Sequence, residues 1–196
     1  MNKKYELLIY DPDYSINGHY PRYNKYFLKI FSTLPNIKNI TYFGEKIYSH
    51  KKIFVKKIKN LNVHKGYHLP IIKKIFFFIL YFFVYLKNIA QLNKYGKNKT
   101  LVLLSESNFI FGLLFLLIYR YKYSIIVIST KPLSKKGFLS HLKYFIYISV
   151  LSKANFVVTL NRTNQKLLSK FLKKKVYFIL IFHQKILLCL NLRKKN

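Results

Sequence analysis

Two of the five acidic residues in this 196-residue chain stand in one short stretch, DPDYSINGHYPRYNKYFLKIF (residues 11–31). Its carboxylates and its histidine are side chains of the kinds that take a proton from a reacting hydroxyl group, so Asp13 and His19 are candidate general bases. Gly18 would let the backbone approach a ligand closely. Arg22, at the start of the helix that this stretch predicts, would bind a phosphate or a carboxylate.

Polar residues also follow several apolar runs that read as strands. In an open α/β sheet, ligands bind in the crevice at the carboxyl ends of the strands. This rule places four pairs of residues on one rim: Asp11 and Asp13, Ser105 and Glu106, Thr130 and Lys131, and Asn161 and Arg162. Glu106 is therefore a third candidate base. The candidates for binding substrate are Gly18, Arg22, Thr130, Lys131, Asn161 and Arg162.

Each of these residues also has an ordinary structural explanation. Asp11 or Asp13 could stop the first strand and form an Asx turn with Pro12. Glu106 could cap the helix that begins near Asn108. The polar residues that follow Asp13 could belong to a plain surface loop. The sequence alone leaves these alternatives open beside the functional ones.

The sequence argues against several other kinds of site. Five histidines show no metal-ligand spacing to one another: His50, His64, His68, His141 and His183. Cys189 is the only cysteine, which leaves neither a disulfide nor a Cys-based zinc site and fits a cytoplasmic compartment. We therefore predict no metal site. The string G-x-x-x-x-G-K-[S/T] is absent, which argues against a P-loop NTPase, and there is no G-x-S-x-G motif to support a serine hydrolase.

Short apolar runs alternate with segments of helical length. The predicted strands are residues 5–10, 37–43, 100–105, 123–130, 155–160 and 176–182, with a weaker candidate at 58–66. The predicted helices are residues 20–34, 68–95, 108–120, 137–153 and 162–172. Most of these strands are apolar on both faces, as parallel strands covered by helices on each side require. The pattern predicts an α/β fold with a Rossmann-like, doubly wound, mostly parallel sheet and helices on both faces.

The chain is strongly basic, with 36 Lys and Arg against five Asp and Glu and a net charge of +31. Hydrophobic residues make up 52%, which is enough apolar surface to fold despite that charge. One explanation is a composition biased towards Lys, Ile, Asn, Phe and Tyr, and the other is an anionic partner. Because the lysines are scattered in pairs and triplets, we expect an anionic membrane surface. Aromatic residues that lie inside apolar runs argue against nucleic acid.

Two apolar stretches raise the question of a membrane directly. They are IFFFILYFFVYL (residues 75–86) and FIFGLLFLLIY (residues 109–119). Spanning a bilayer takes about 20 apolar residues, and both runs are shorter, so we expect two buried crossover helices. The first run could instead enter one face of a bilayer, with Lys73, Lys74 and Lys87 on anionic headgroups.

Three stretches follow one another in a recognisable order. The first stretch predicts a strand, a glycine-bearing loop and a helix: LLIYDPDYSINGHYPRYNKYFLKIF. The second predicts a strand, a basic helix, a "kADxVvxxS" strand and a short helix: SIIVISTKPLSKKGFLSHLKYFIYISVLSKANFVVTLNRTNQKLLSKF. The third predicts a final strand: KKKVYFILIF. Over residues 5–182 this order resembles the N-terminal half of a GT-B glycosyltransferase of the family 1/family 4 type. The chain departs from the family at Ser129 and Thr130, where many relatives have a histidine, and at Asn161, near a usual serine.

The resemblance implies transfer of a hexose from a nucleotide sugar to a lipid-linked or growing cell-surface saccharide at the inner face of the cell membrane. Residues 1–182 would form the lobe that binds the acceptor. A second lobe would bind the nucleotide sugar, which is a substrate, so no cofactor is expected. The donor motifs are absent here and residues 183–196 read as an irregular or frame-shifted tail. We therefore expect a truncated or split enzyme, inactive alone, with a separate donor-binding chain as one partner. The alternative is a small basic integral or peripheral membrane protein without enzymatic activity.

Overall fold

Strands and helices alternate along the chain in the computed structural model, which describes residues 4–12, 20–44, 47–58, 70–104, 109–127, 138–172, 174–182 and 185–189. The strands are β1 (Tyr5–Tyr10), β2 (Ile37–Phe43), β3 (Ile53–Lys56), β4 (Thr100–Leu104), β5 (Tyr123–Val127), β6 (Phe156–Thr159), β7 (Val176–Phe182) and β8 (Lys185–Cys189). The helices are α1 (Tyr20–Thr33), α2 (Ile71–Gly96), α3 (Phe109–Ile118), α4 (Phe138–Lys153) and α5 (Arg162–Leu172). The six firm strand predictions and the five helix predictions are confirmed.

Seven strands form a parallel sheet in the order β3-β2-β1-β4-β5-β6-β7, and β8 adds to β7 in the antiparallel direction. The register at the centre places Leu8 of β1 between Thr41 of β2 and Leu101 of β4. All seven parallel strands end on the same side, which we call the carboxyl end of the sheet; the opposite side is its amino end. This arrangement confirms the predicted Rossmann-like α/β fold.

Side chains from successive residues of each strand pack into two separate cores. Ile9 is fully buried with Phe27 and Leu28 of α1 on one face of the sheet. Leu8, its neighbour in β1, is fully buried on the other face in a core that includes residues of α2, α3, α4 and α5. Burial on both faces explains why β1 and β4 read as continuous apolar runs, since helices cover each side. The sheet is thus doubly wound, with α1 on one face and four helices on the other.

Two of the described strands, β3 and β8, were not predicted from the sequence. β3 is only four residues long, and the lysines around it (KKIFVKKIK) hide its apolar character. The weaker candidate at 58–66 lies outside the described residues except for Ile58. β8 occupies part of the segment in which an irregular or frame-shifted tail was expected, and Lys185–Cys189 instead pairs regularly with β7. A frame-shifted origin of residues 183–196 stays a prediction.

Helix α2 departs from the prediction of a buried crossover helix. Its second half is packed in the core, where Tyr85, Ile89 and Leu92 are buried. Its first half is not: Phe76 is 73% exposed and Phe83 is 59% exposed. By length and composition alone, Ile72–Gly96 would suffice to cross a membrane, and 28% of its apolar window is buried inside the protein. The prediction was therefore wrong for the first half of α2.

Helix α3 conforms much better to that prediction. Phe111, Gly112, Leu114 and Phe115 are buried between α3 and its neighbours, while Leu117 at the end of the helix is 74% exposed. The ring of Phe115 lies 4.8 Å from that of Tyr123 at the start of β5 in an edge-to-face arrangement. These aromatic contacts fix α3 on the sheet.

Candidate functional site at the carboxyl end of the sheet

The winding of the sheet reverses between β1 and β4. These strands are hydrogen-bonded neighbours, but the chain leaves β1 through α1 on one face and leaves β4 towards α3 on the other. The two connections diverge at the carboxyl ends of the two strands, and the ligands of doubly wound proteins bind in the crevice that is expected at such a switch point. Asp11 directly follows β1, and Glu106 stands two residues after the end of β4.

A buried polar cluster lies beside the end of β1. Asp11 is completely buried, and its Oδ2 accepts a hydrogen bond of 2.7 Å from the side-chain amide of Asn24, a buried residue of α1. The same amide nitrogen lies 3.4 Å from the hydroxyl of Tyr42 in β2. The Asp11 carboxylate therefore has a structural role, because its hydrogen bond attaches α1 to the end of β1. The predicted site residues Asp13, Gly18 and His19 follow it in the sequence.

The orientation of the Asn24 amide follows from its partner. A carboxylate oxygen accepts hydrogen bonds, so the Nδ2 group and not Oδ1 must face Asp11. Among the described residues Oδ1 has no hydrogen-bond partner. Tyr42 is the third residue of the cluster, and its side chain packs directly against Gly44. A Cβ added at Gly44 would lie 2.6 Å from the Tyr42 hydroxyl oxygen, which is too close for any other residue type to fit without a shift.

A second polar contact attaches α2 to the same end of the sheet. The side-chain amide of Asn88 donates to the hydroxyl of Tyr10, the last residue of β1, over 3.1 Å, and both side chains are buried. The ring of Tyr10 lies 5.6 Å from that of Phe111 in α3, which in turn lies 5.4 Å from that of Tyr85 in α2. Residues 85–88 of α2 are thereby level with the carboxyl end of β1.

Three of the predicted substrate-binding residues fall within the described part of the chain. Arg22 is exposed in the first turn of α1, and Arg162 is exposed at the start of α5. Both follow strands at the carboxyl end of the sheet, but β1 and β6 are three strand spacings apart, roughly 14 Å. The two arginines therefore stand at helix starts on the same side of the sheet, separated by three strand spacings.

Asn161 has a structural role in addition to the predicted one. Its Oδ1 accepts hydrogen bonds from the backbone N–H groups of Thr163 at 2.7 Å and Asn164 at 3.4 Å, which caps the N-terminus of α5. Its backbone oxygen accepts from the hydroxyl of Thr159 at 3.1 Å. Asn161 thus holds Arg162 in place, and direct contact of its side chain with substrate stays a prediction.

The other site predictions lie outside the described residues: Asp13, Gly18, His19, Glu106, Thr130 and Lys131. Their positions in the sequence put them after β1, β4 and β5, all of which end at the carboxyl end of the sheet. Their roles stay predictions. Among the described residues, no group of three or more His, Cys, Asp or Glu side chains could hold a metal ion.

Asn24 and Asn88 were not among the predicted site residues, although their spacing in the sequence carries a signal. Asn24 stands three and four residues before Phe27 and Leu28, so helical spacing puts its amide on the core face of α1. Asn88 stands four residues before the buried Leu92, so helical spacing likewise puts its amide on the core face of α2. A polar side chain on the buried face of a helix requires a partner, and here the partners lie at the ends of the central strands.

The amino end of the sheet carries ordinary stabilising interactions. Glu6 pairs with Lys38 at 3.8 Å and with Lys99 at 3.7 Å. Glu6 and Lys99 border a groove of about 580 Å³ that runs along β3 as far as Lys56, its last residue, beside Tyr95 of α2. One carboxylate shared by two partly exposed lysines balances charge and offers no pair of groups for acid–base chemistry.

The described groups whose pKa is shifted also lie at the amino end. Burial raises the pKa values of Tyr119 and Tyr123, and the neighbouring tyrosine side chains add to the rise for Tyr119. The hydroxyl of Tyr123 donates to the backbone oxygen of Val150 over 2.7 Å. Burial lowers the pKa of Lys174, because the ammonium loses hydration.

Lys174 closes the C-terminus of α4. Its ammonium donates to the backbone oxygens of Leu151 at 2.6 Å, Ser152 at 3.0 Å and Ala154 at 2.7 Å. A cation at this end of a helix satisfies carbonyl groups that have no partner within the helix and opposes the negative end of its dipole.

Compared with models of known protein families and with curated proteins, the chain matches none.

Proposed function

We propose that this chain is the acceptor-binding lobe of a GT-B type glycosyltransferase that adds a hexose to a lipid-linked or growing saccharide. The observation that carries the proposal is the switch point between β1 and β4, at whose carboxyl ends a ligand crevice is expected. The predicted site residues follow strands that end on that side of the sheet. The order of strands and helices there agrees with the order expected for such a lobe.

In the proposed reaction a base takes the proton of an acceptor hydroxyl while its oxygen attacks the anomeric carbon of the donor sugar. The bond from that carbon to the nucleoside diphosphate breaks, and the diphosphate leaves with the electron pair. Asp13, His19 and Glu106 are the candidates for the base. Arg22 and Arg162 supply positive charge beside the crevice, where they stabilise phosphate groups of the acceptor or of the leaving diphosphate.

A GT-B enzyme has two Rossmann-like lobes, and these 196 residues contain one such unit. The proposal therefore assigns the nucleotide-sugar site to residues or a chain outside this sequence. Transfer by this chain alone is not expected. Binding of an acceptor is expected, because the crevice belongs to this lobe.

The direct test is binding of saccharide acceptors by the purified chain. A panel of polyprenyl-diphosphate-linked mono- and disaccharides is compared with free nucleotide sugars, using intrinsic tyrosine fluorescence or thermal shift. We expect binding of at least one lipid-linked saccharide. Arg22→Ala should weaken that binding about tenfold or more, because it removes a charge-assisted contact.

Arg120→Ala is the matched control for this experiment. Arg120 is exposed like Arg22 but follows α3, so it lies at the amino end of the sheet. Loss of affinity on both substitutions alike would show that only the general positive field attracts the ligand. That result, or a failure to bind any saccharide in the panel, would overturn the acceptor-lobe proposal.

A second candidate function is favoured by the exposed apolar half of α2. A basic membrane protein without enzymatic activity would use this helix for attachment and would need no saccharide site. The saccharide-binding experiment distinguishes the two functions. Only a glycosyltransferase lobe is expected to bind a saccharide at the carboxyl end of the sheet.

A further inference from the structure

The first half of α2 presents most of its surface to solvent. Helix α2 leads back from β3 to β4, so it runs opposite to the strands, and its residues 85–88 are level with the carboxyl end of β1. Residues 71–84 precede this level and form about 20 Å of helix, at 1.5 Å per residue; within them Tyr81 is buried in the core and Phe77 packs against it. We call this segment the α2 overhang.

The α2 overhang is apolar over most of its circumference. Phe77 and Tyr81 face the rest of the protein, with their rings 4.8 Å apart. The exposed positions, which cover the remaining faces, are Ile72, Ile75, Phe76, Phe78, Ile79, Leu80, Phe82 and Phe83. Taking roughly 200 Å² for a whole aromatic side chain, the four exposed phenylalanines alone present on the order of 450 Å². Soluble monomers rarely expose a contiguous apolar patch larger than a few hundred Å².

The charges around the overhang indicate which kind of partner covers it. Lys73 is exposed and Lys74 half-buried at its start, and Lys87 is exposed just beyond its end, while the overhang contains no acidic residue. The whole chain carries +31, so a second copy of it would be repelled electrostatically. An anionic bilayer matches both properties, because its acyl region takes the phenylalanines and its headgroups take the lysines.

The overhang is too short to span a bilayer. About 20 Å of helix meets a hydrocarbon core of about 30 Å. The rest of α2 cannot follow it into the lipid, since Tyr85, Asn88 and Ile89 are buried against the sheet and α3. The helix can therefore enter only one leaflet.

We propose that the α2 overhang inserts into one leaflet of an anionic membrane and so holds the carboxyl end of the sheet against the lipid surface. The crevice between β1 and β4 lies at the base of the overhang, so a saccharide linked to a membrane lipid would reach it without leaving the bilayer. This inference deepens the proposed function and rests on its placement of the acceptor at a membrane.

The test uses vesicles that contain no saccharide, so its result does not depend on acceptor binding. The full chain is sedimented with vesicles of phosphatidylcholine alone and with vesicles of equal parts phosphatidylcholine and phosphatidylglycerol. We expect binding to the anionic vesicles. Phe76→Ser combined with Phe83→Ser should lower that binding about tenfold or more.

The matched control carries two serines at equally exposed positions elsewhere. Leu117 and Phe145 are 74% and 67% exposed on α3 and α4, outside the overhang. Leu117→Ser combined with Phe145→Ser should change vesicle binding by less than about twofold, because neither residue belongs to the inserted segment. Replacement of Lys73 and Lys74 by Gln should lower binding to anionic vesicles about fivefold for each lysine and leave binding to neutral vesicles unchanged.

Tryptophan fluorescence tests insertion of the overhang independently, in case the serine variants fail to fold. The chain contains no Trp, so Phe78→Trp places a single indole on the overhang and Leu117→Trp places one outside it. With anionic vesicles, only the first variant should shift its emission to the blue and be quenched by brominated lipid.

Three results would overturn the proposal. Vesicle binding that is equal in the serine variant and is abolished at about 1 M salt would be purely electrostatic. A dimer that dissociates on substitution of Phe76 and Phe83 would show that a second copy covers the overhang. Emission of both tryptophan variants that does not change with vesicles would show that the overhang stays out of the lipid.

Discussion

A double-mutant cycle between Asp11 and Asn24 tests the polar cluster at the base of the crevice. The cycle uses Asp11→Ala, Asn24→Ala and the double variant, and compares their free energies of unfolding with that of the wild type. Both residues are buried and joined by a bond of 2.7 Å, so the contact is short and shielded from water. Hydrogen bonds to charged groups contribute about 1.5–3 kcal/mol, and we expect a coupling of about 2 kcal/mol.

The single substitution Asn24→Ala should cost about 2–4 kcal/mol, because it leaves a buried carboxylate with one donor fewer. For a chain of this length each kcal/mol lowers the melting temperature by about 2–4 °C. Urea unfolding followed by circular dichroism measures all four proteins. Asp13, Gly18 and His19 follow Asp11 closely in the sequence, so Asn24→Ala should also weaken acceptor binding if the proposed site is correct.

A second cycle in the same cluster provides the internal control. The amide of Asn24 lies 3.4 Å from the hydroxyl of Tyr42, a much weaker geometry than the contact to Asp11. Combining Asn24→Ala with Tyr42→Phe should give a coupling below about 1 kcal/mol. If the two cycles gave equal couplings, or if the Asp11 cycle gave less than about 0.5 kcal/mol, the assignment of the amide to the carboxylate would be wrong.

Two further predictions concern the amino end of the sheet. Lys174→Met should lower the free energy of unfolding by about 2 kcal/mol, because three carbonyl groups at the end of α4 lose their cation, whereas Lys153→Met on the exposed last turn should have little effect in the same urea titration. Tyr123→Phe should cost about 1–2 kcal/mol through its lost hydrogen bond, whereas Tyr119→Phe should be neutral or stabilising, since among the described residues its hydroxyl has no partner. Burial raises the pKa of both tyrosines, so the folded state holds these protons longer than the unfolded state. Stability should therefore fall as the pH rises above about 10, and either substitution should make that fall shallower in pH-dependent unfolding measurements.

The alternation of strands and helices was predictable because each class of element leaves its own pattern. The central strands are buried on two faces and must be apolar at every position, which TLVLL in β4 satisfies. Helix α1 shows the opposite case, in which apolar residues recur at helical spacing and place Phe27 and Leu28 in the core. β3 was missed because one edge strand of four residues needs little apolar character.

The site was predictable only as a location. The rule for doubly wound sheets gives the side on which a ligand binds, and Arg22 and Arg162 do lie on that side. It does not give the partners of individual polar residues. Asp11 was considered as a strand stop and in a possible Asx turn, whereas the structure buries it against Asn24, a contact between residues 13 positions apart. Such pairing depends on how α1 packs across the sheet.

The first half of α2 was wrongly predicted to be buried, because the apolar character of the helix was considered without comparing its length with that of the strands. A crossover helix has to return along strands of five to seven residues, which are about 17–23 Å long, and about 12–15 helical residues cover that distance. Helix α3 has 10 residues and is largely packed, although its sequence is even more apolar than that of α2. Helix α2 has 26 residues, about 39 Å, so roughly half of it has no sheet beneath it. Most apolar side chains in that excess length are exposed, and only the side that carries Phe77 and Tyr81 packs against the protein. The comparison of helix length with strand length was available from the sequence, and it leads directly to a surface that needs an external apolar partner.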